Sequence, residues 1–170
     1  QLEAKLGRLQ RECKALGIPI MIVFEGFGAA GKGLQIGRLI QSMDPRGFEV
    51  HPIKNETEEE QMHPFMWRFW TKTPAKGRIV IFDGSWYRRV LIDRFEKRTK
   101  NKELADAFHS INSFEEQLAD DGTLIIKLFL DIDKKEQKKR FEKLAKNKET
   151  AWRVTQADKE RNAHYDEYAA

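Results

Sequence analysis

A chain of 170 residues with 40% hydrophobic content suits one domain built around one core. No apolar run approaches the roughly 20 residues that a membrane-spanning helix needs, so no membrane partner is expected. The charge of +4, from 31 basic and 27 acidic residues, is too small an excess to call for nucleic acid, but the basic residues crowd into 86–100 and 134–161, where they set up local fields that attract phosphates. The single cysteine, Cys13, cannot form an intrachain disulfide. It fits a reducing, cytoplasmic setting and reads as structural, since no base pattern surrounds it.

Apolar runs and turn signals alternate along the chain, as in an α/β domain with a parallel sheet. Residues 2–16 read as an amphipathic helix rather than a signal pattern, stopped at Gly17 and Pro19. Ile20 to Phe24 is a continuous apolar run, suited to a strand covered on both faces. A glycine-rich turn, Gly26 to Gly33, leads into a helix over Leu34 to Met43 that ends at Asp44-Pro45-Arg46-Gly47. A weaker strand is expected over Phe48 to Ile53, then one helix over Glu56 to Trp70, with acids in its first turn. A strand over Arg78 to Phe82 ends at Asp83, helices follow at about 86–97 and 103–119, and Thr123 to Leu130 is the fourth clear strand. From Lys134 onward the chain reads as helical and basic, interrupted near 147–155.

Gly26-Phe27-Gly28-Ala29-Ala30-Gly31-Lys32-Gly33 lies between a strand and a helix and matches the G-x-x-x-x-G-K core of a phosphate loop, with Gly33 where Ser or Thr usually stands. Glycines let backbone N–H groups turn inward as an anion nest, the helix N-terminus adds its dipole, and Lys32 brings a mobile charge. Without a hydroxyl at Gly33 a metal ion must be held in another way or through water. The same glycines also spell the G-x-G-x-x-G of dinucleotide folds. That reading needs an acid at the tip of the next strand, where this chain has His51-Pro52-Ile53-Lys54. Asp83, ending an apolar strand, has the place of a Walker B acid that holds Mg²⁺ or its waters. Arg88 and Arg89 follow at a helix start, where they oppose the helix dipole; this favours phosphate contact over a purely stabilising role.

Glu25-Gly26-x-x-Ala29-Ala30-Gly31-Lys32-Gly33, Asp44-Pro45-Arg46-Gly47 and Phe82-Asp83-x-Ser85-Trp86-Tyr87-x-Arg89 resemble the polyphosphate kinase 2 family. The similarity continues through Trp67-Arg68, Pro74-x-x-Gly77, Asp120-Asp121-Gly122 and Trp152-Arg153-x-Thr155 with Asp158. It implies a three-layer α/β/α P-loop fold like that of thymidylate kinase, one domain over 1–170, with a helical lid at about 133–160. It also implies Mg²⁺-dependent phosphoryl transfer between polyphosphate and a purine nucleotide, AMP or ADP above all. On that resemblance Lys32, Asp83 and Arg89 are the expected catalytic residues and Asp83 the metal ligand. Gly26, Gly28, Ala29, Ala30, Gly31, Lys32, Gly33, Arg88 and Arg153 are the expected phosphate contacts.

The chain also departs from the family pattern. Phe27-Gly28 stands where the family's loop has Arg-Asp, and Gly84 where an Arg usually follows the Walker B acid. The lid has Ala151-Trp152-Arg153 for Arg-Trp-Lys, and Gln156 for Pro. Glycine at position 28 leaves room for a side chain, so Gly28→Asp with Gly84→Arg is expected to raise the rate of a slow domain. These losses, the start at Gln1 and the end before the family's last apolar strand suggest a piece of a longer protein, paired with a sister domain or another copy. Two other functions stay open: a weakened, phosphate-binding or structural half of a two-domain phosphotransferase, and an ATP-dependent small-molecule kinase.

Overall fold

The computed structural model describes residues 2–169. Four strands, β1 (Ile20–Gly26), β2 (Phe48–Pro52), β3 (Ile79–Asp83) and β4 (Leu124–Leu130), form one parallel sheet in the order β2-β3-β1-β4. The chain is an α/β protein, as expected. Alternation along the central strand sorts side chains to the two faces. Ile20, Ile22 and Phe24 join Ile36, Met43, Leu6 and Cys13, which belong to or flank α1 (Leu2–Ala15) and α2 (Lys32–Ile40). Met21 and Val23 join Phe69, Trp86, Ile111, Phe114 and Leu118 on the other face. There α6 (Leu104–Asp120) buries Ala107, Ile111, Phe114 and Leu118, a stripe at helical spacing. β4 is one of the two sheet edges among the described residues and leaves Leu124, Ile126, Leu128 and Phe129 exposed.

Two expected helices are not continuous. Over Glu56 to Trp70 the chain forms α3 (Glu58–Gln61) and α4 (Trp67–Trp70), separated by turns at His63-Pro64. Pro64 has no N–H to give and pushes His63 out of the helical region. Over 86–97 only α5 (Arg88–Leu91) is helical. Beyond it the amides of Arg98 and Thr99 fold back on the Asp93 carbonyl, and Lys97 takes φ 58°. The basic C-terminal segment forms α7 (Lys134–Lys146), a short turn of helix at Ala151–Arg153, α8 (Gln156–Ala163) and α9 (Tyr165–Ala169). Asp133 and Thr155 cap α7 and α8, each accepting from the amide three residues on.

Candidate active site

The strand ends converge on the phosphate loop. Gly26 takes φ 125° and lies so close to the backbone of Leu130 that a Cβ would overlap it. Glycine is therefore required where β1 turns past β4. Lys32 opens α2, and its Nζ donates to the carbonyls of Gly26 at 2.8 Å and Phe27 at 3.3 Å. The loop thus holds its lysine on its own carbonyls. Burial lowers the Lys32 amine below its usual value; Arg161 acts in the same direction, while Asp83 and Glu25 oppose it. Glu25, at the end of β1, accepts from Ser85 Oγ at 2.6 Å, and burial raises its carboxyl against that hydrogen bond and the Lys32 charge. Ser85 Oγ in turn accepts from the Tyr87 amide. One buried hydroxyl therefore ties the phosphate-loop strand to the turn that carries the arginines.

Two compartments open above the strand ends. The first, about 380 Å³, is bounded by the loop at Gly26, Phe27 and Gly28, by Lys32, by Asp83 and Gly84, and by Asp158 and Arg161 of α8. The second, about 280 Å³, is lined by four arginines, Arg68, Arg88, Arg89 and Arg98. They share Ile53, Lys54 and Arg88. In the second compartment, Asn55 Oδ1 accepts from Arg88 Nη2 at 2.9 Å and Arg98 Nη1 at 3.1 Å. Arg89 lies 4.5 Å over the Phe65 ring. The buried Arg68 pairs with Glu60 and donates to Lys54 O, but its Nε has no hydrogen-bond partner among the described residues.

The helical segment after β4 rests on the loop. Gln137 Nε2 donates to Gly28 O at 3.0 Å, and Arg140 Nη1 donates to Ala29 O at 3.1 Å and Ala30 O at 3.3 Å. The lid thus takes the loop's carbonyls. Phe141 completes the contact: a Cβ on residue 28 would stand 3.1 Å from its ring and 3.5 Å from Asp158 Oδ1. Position 28 is therefore closed by the lid, contrary to the expectation of free space. Gly84 takes φ 75°, a left-handed conformation that an arginine there would strain.

The structure brings Lys32, Asp83 and Arg88 to one cleft with Gly26 and Gly28, and places Arg89 in the neighbouring compartment. Arg153 joins neither. It lies exposed against the Trp152 ring, whose Nε1 donates to Glu149 O. Sequence reasoning missed Glu25, Gln137, Arg140 and Arg161 as site residues. Glu25 lay next to the loop in a quoted motif, whereas the others meet the site only through the fold.

A glycine loop on a parallel strand, a lysine at the following helix start and a strand-end aspartate define a P-loop phosphoryl-transfer domain. The comparisons narrow that class. The family model for polyphosphate kinase 2 matches residues 1–170, and the chain belongs to that family. It is 39% identical over 166 residues to the polyphosphate:AMP phosphotransferase of Pseudomonas aeruginosa, covering 98% of this chain and 34% of that protein. It is 32% identical over 168 residues to the AMP/ADP-polyphosphate phosphotransferase of Meiothermus ruber, covering 98% of this chain and 63% of that one. The crystal structure of polyphosphate kinase 2 from Arthrobacter aurescens TC1 superposes with a TM-score of 0.93 at 33% identity, over 98% of this chain and 60% of that one. The chain thus spans about a third to three fifths of the length of these proteins.

Proposed function

We propose that this domain transfers a phosphoryl group between polyphosphate and a purine nucleotide, AMP or ADP foremost. One observation carries the reading: two cation-lined compartments meet at the end of β3, with the phosphate loop in one and four arginines in the other. A reaction between two polyanions needs two such sites side by side. In this reading polyphosphate lies along the loop beneath the lid, and the nucleotide's phosphate enters among Arg88, Arg89 and Arg98. The loop amides and Lys32 stabilise the charge on the phosphoryl group in flight. Lys32 must leave the Gly26 and Phe27 carbonyls to do so, an exchange that the incoming anion drives. The nucleotide's own phosphate oxygen is the nucleophile, so no side chain has to form a covalent intermediate.

The donor set fits a divalent ion of the Mg²⁺ type. Among the described residues no three His, Cys, Asp or Glu side chains gather to cage a metal, and Mg²⁺ is usually held by one or two carboxylates with phosphate oxygens and water. In this reading Asp83, which lines the loop compartment with Glu25 and Asp158, would hold it, with the phosphates as further ligands. When bound, the ion would neutralise charge on the phosphate oxygens.

A second reading, a phosphate-binding domain with little turnover, is favoured by the loop itself, which carries no carboxylate at Gly28. Assays of the protein with polyphosphate and AMP, ADP, GMP or GDP, against ATP as donor, separate the readings. Polyphosphate-dependent product supports transfer. Tripolyphosphate binding without product supports the second reading, and turnover with ATP alone supports an ATP-dependent kinase.

A further inference from the structure

The first compartment contains a cation that neither the loop motif nor the strand-end motif supplies. Arg161 projects from α8 into the wall shared with Lys32, Phe27 and Gly84. Its guanidinium is held most tightly along one edge. Nε and Nη2 both donate to Glu96 Oε1, at 3.1 and 2.6 Å. The other edge faces the cleft, where Nη1 makes a longer ion pair with Asp158 Oδ1 at 3.7 Å and the Tyr168 hydroxyl stands close by. The side chain is 30% exposed, and its charge is close enough to Lys32 to be felt there.

We infer that Arg161 is a phosphate ligand of the loop cleft, a guanidinium held by Glu96 on one edge and offered to the bound anion on the other. Three observations support this. An arginine fixed by a carboxylate has already lost most of its side-chain freedom, so it gives up little more on taking a phosphate oxygen. Its planar fork lets one edge bind protein while the other binds ligand, which a point charge such as lysine cannot match. The arginine and Lys32 line the same cleft and repel, and a phosphate chain between them would turn that repulsion into attraction. Phe27 and Gly84, which bring no charge, border the same cleft, so Arg161 adds positive charge beside two uncharged positions. The alternative role is a tether, since the Glu96 pair also fastens α8 to the 92–99 turns.

The inference rests on the phosphate-loop reading, and the test separates the two. Inorganic tripolyphosphate is titrated calorimetrically into the unmodified protein and into Lys32→Ala, Arg161→Met, Arg161→Lys and Glu96→Gln, with the melting temperature of each recorded. Arg161→Met is expected to weaken binding about tenfold or more and Arg161→Lys about threefold or more, as for loss of a charge-assisted contact. Glu96→Gln removes the anchor but not the cation, and should stay within about threefold of the unmodified protein. Unchanged affinity in Arg161→Met, with Lys32→Ala weakened, overturns the role of Arg161 and leaves the loop reading intact. Equal losses in Glu96→Gln and Arg161→Met would show a tether and overturn it too. Unchanged affinity in both Lys32→Ala and Arg161→Met would remove the loop reading itself. If Arg161→Met does not fold, Arg161→Lys decides, and affinity equal to that of the unmodified protein rejects the fork.

Discussion

Placing an aspartate at position 28 is expected to harm this domain, because the lid occupies the space. A Cβ there meets the Phe141 ring at 3.1 Å, closer than ordinary carbon contact allows, and Phe141 is itself buried. α7 is held on the loop by Gln137 and Arg140, so the ring itself has to give way. Overpacking of this kind costs about 1–3 kcal/mol. The new carboxylate would also lie beside Asp158 Oδ1, 3.5 Å from the Cβ position, and like charges there disfavour docking further. Taking the steric cost alone, lid docking on the loop should weaken roughly tenfold to a hundredfold. Hydrogen exchange is the direct assay: in Gly28→Asp, Lys134–Lys146 should lose protection while β1 and β3 keep theirs. Polyphosphate-dependent turnover should fall with it, and Phe141→Leu in the same chain should restore part of the lid protection. If Gly28→Asp keeps full lid protection and raises turnover, the packing argument is wrong and the site lacked a carboxylate after all.

Further outcomes follow from the electrostatics of the cleft. Because burial holds the Lys32 amine below its unfolded value of 10.5, the unfolded chain keeps that proton more readily. Stability therefore rises with pH between the lowered value and 10.5, so thermal melts of Lys32→Met should lack that rise while phosphate affinity drops. Glu25 has the opposite slope: its raised carboxyl stabilises the fold near and below 4.5, and that contribution fades as pH climbs through the folded value. Glu25→Gln, whose amide oxygen still accepts from Ser85, should remove the decline in melts across that range. Arg68→Met leaves the half-buried Glu60 with Lys72 and the Thr57 amide; it should destabilise by about 1–3 kcal/mol, read from urea unfolding. Tripolyphosphate affinity should fall steeply with added salt, whereas a lid charge run that is only a solvated surface would leave it flat.

Much of this architecture was legible in the sequence because its signals are local. The unbroken run Ile20 to Phe24 requires two covered faces, and the glycines after it allow only a tight turn into α2. The misreadings share a cause: the deciding contact lay far away or overrode an apparent period. Glu56 to Trp70 has enough acids and aromatics for one helix, yet Pro64 splits it. The basic stretch after α5 bends because its amides return to Asp93 O. Gly28 looked roomy, since nothing in its own segment shows that Phe141, over a hundred residues on, fills the space. Arg153 was expected in the cleft from its motif, but it lies exposed beside Trp152, and Arg161 one helix later lines the cleft.

The same geometry explains why the two glycine departures can stand together with a lid that fits tightly. An aspartate at 28 and an arginine at 84 would place side chains where α7 and the loop now touch and where the backbone takes φ 75°. Phe141 of α7 meets the loop at Gly28, and α8 is tied to α7 through Asn162, which donates to Lys134 O and Gln137 Oε1. In this packing Asp158 and Arg161 line the cleft wall. The segment after β4 thus brings charge to a cleft in which Gly28 and Gly84 bring none. Electrostatic stabilisation in phosphoryl transfer depends on where preorganised groups point and not on which element carries them. A site assembled this way must couple phosphate affinity to lid docking: Phe141→Ala, which touches no ligand, should weaken tripolyphosphate binding and lid protection in parallel. Loss of protection without loss of affinity would mean that the loop and Lys32 bind phosphate unaided, and that Arg161 has no part in it.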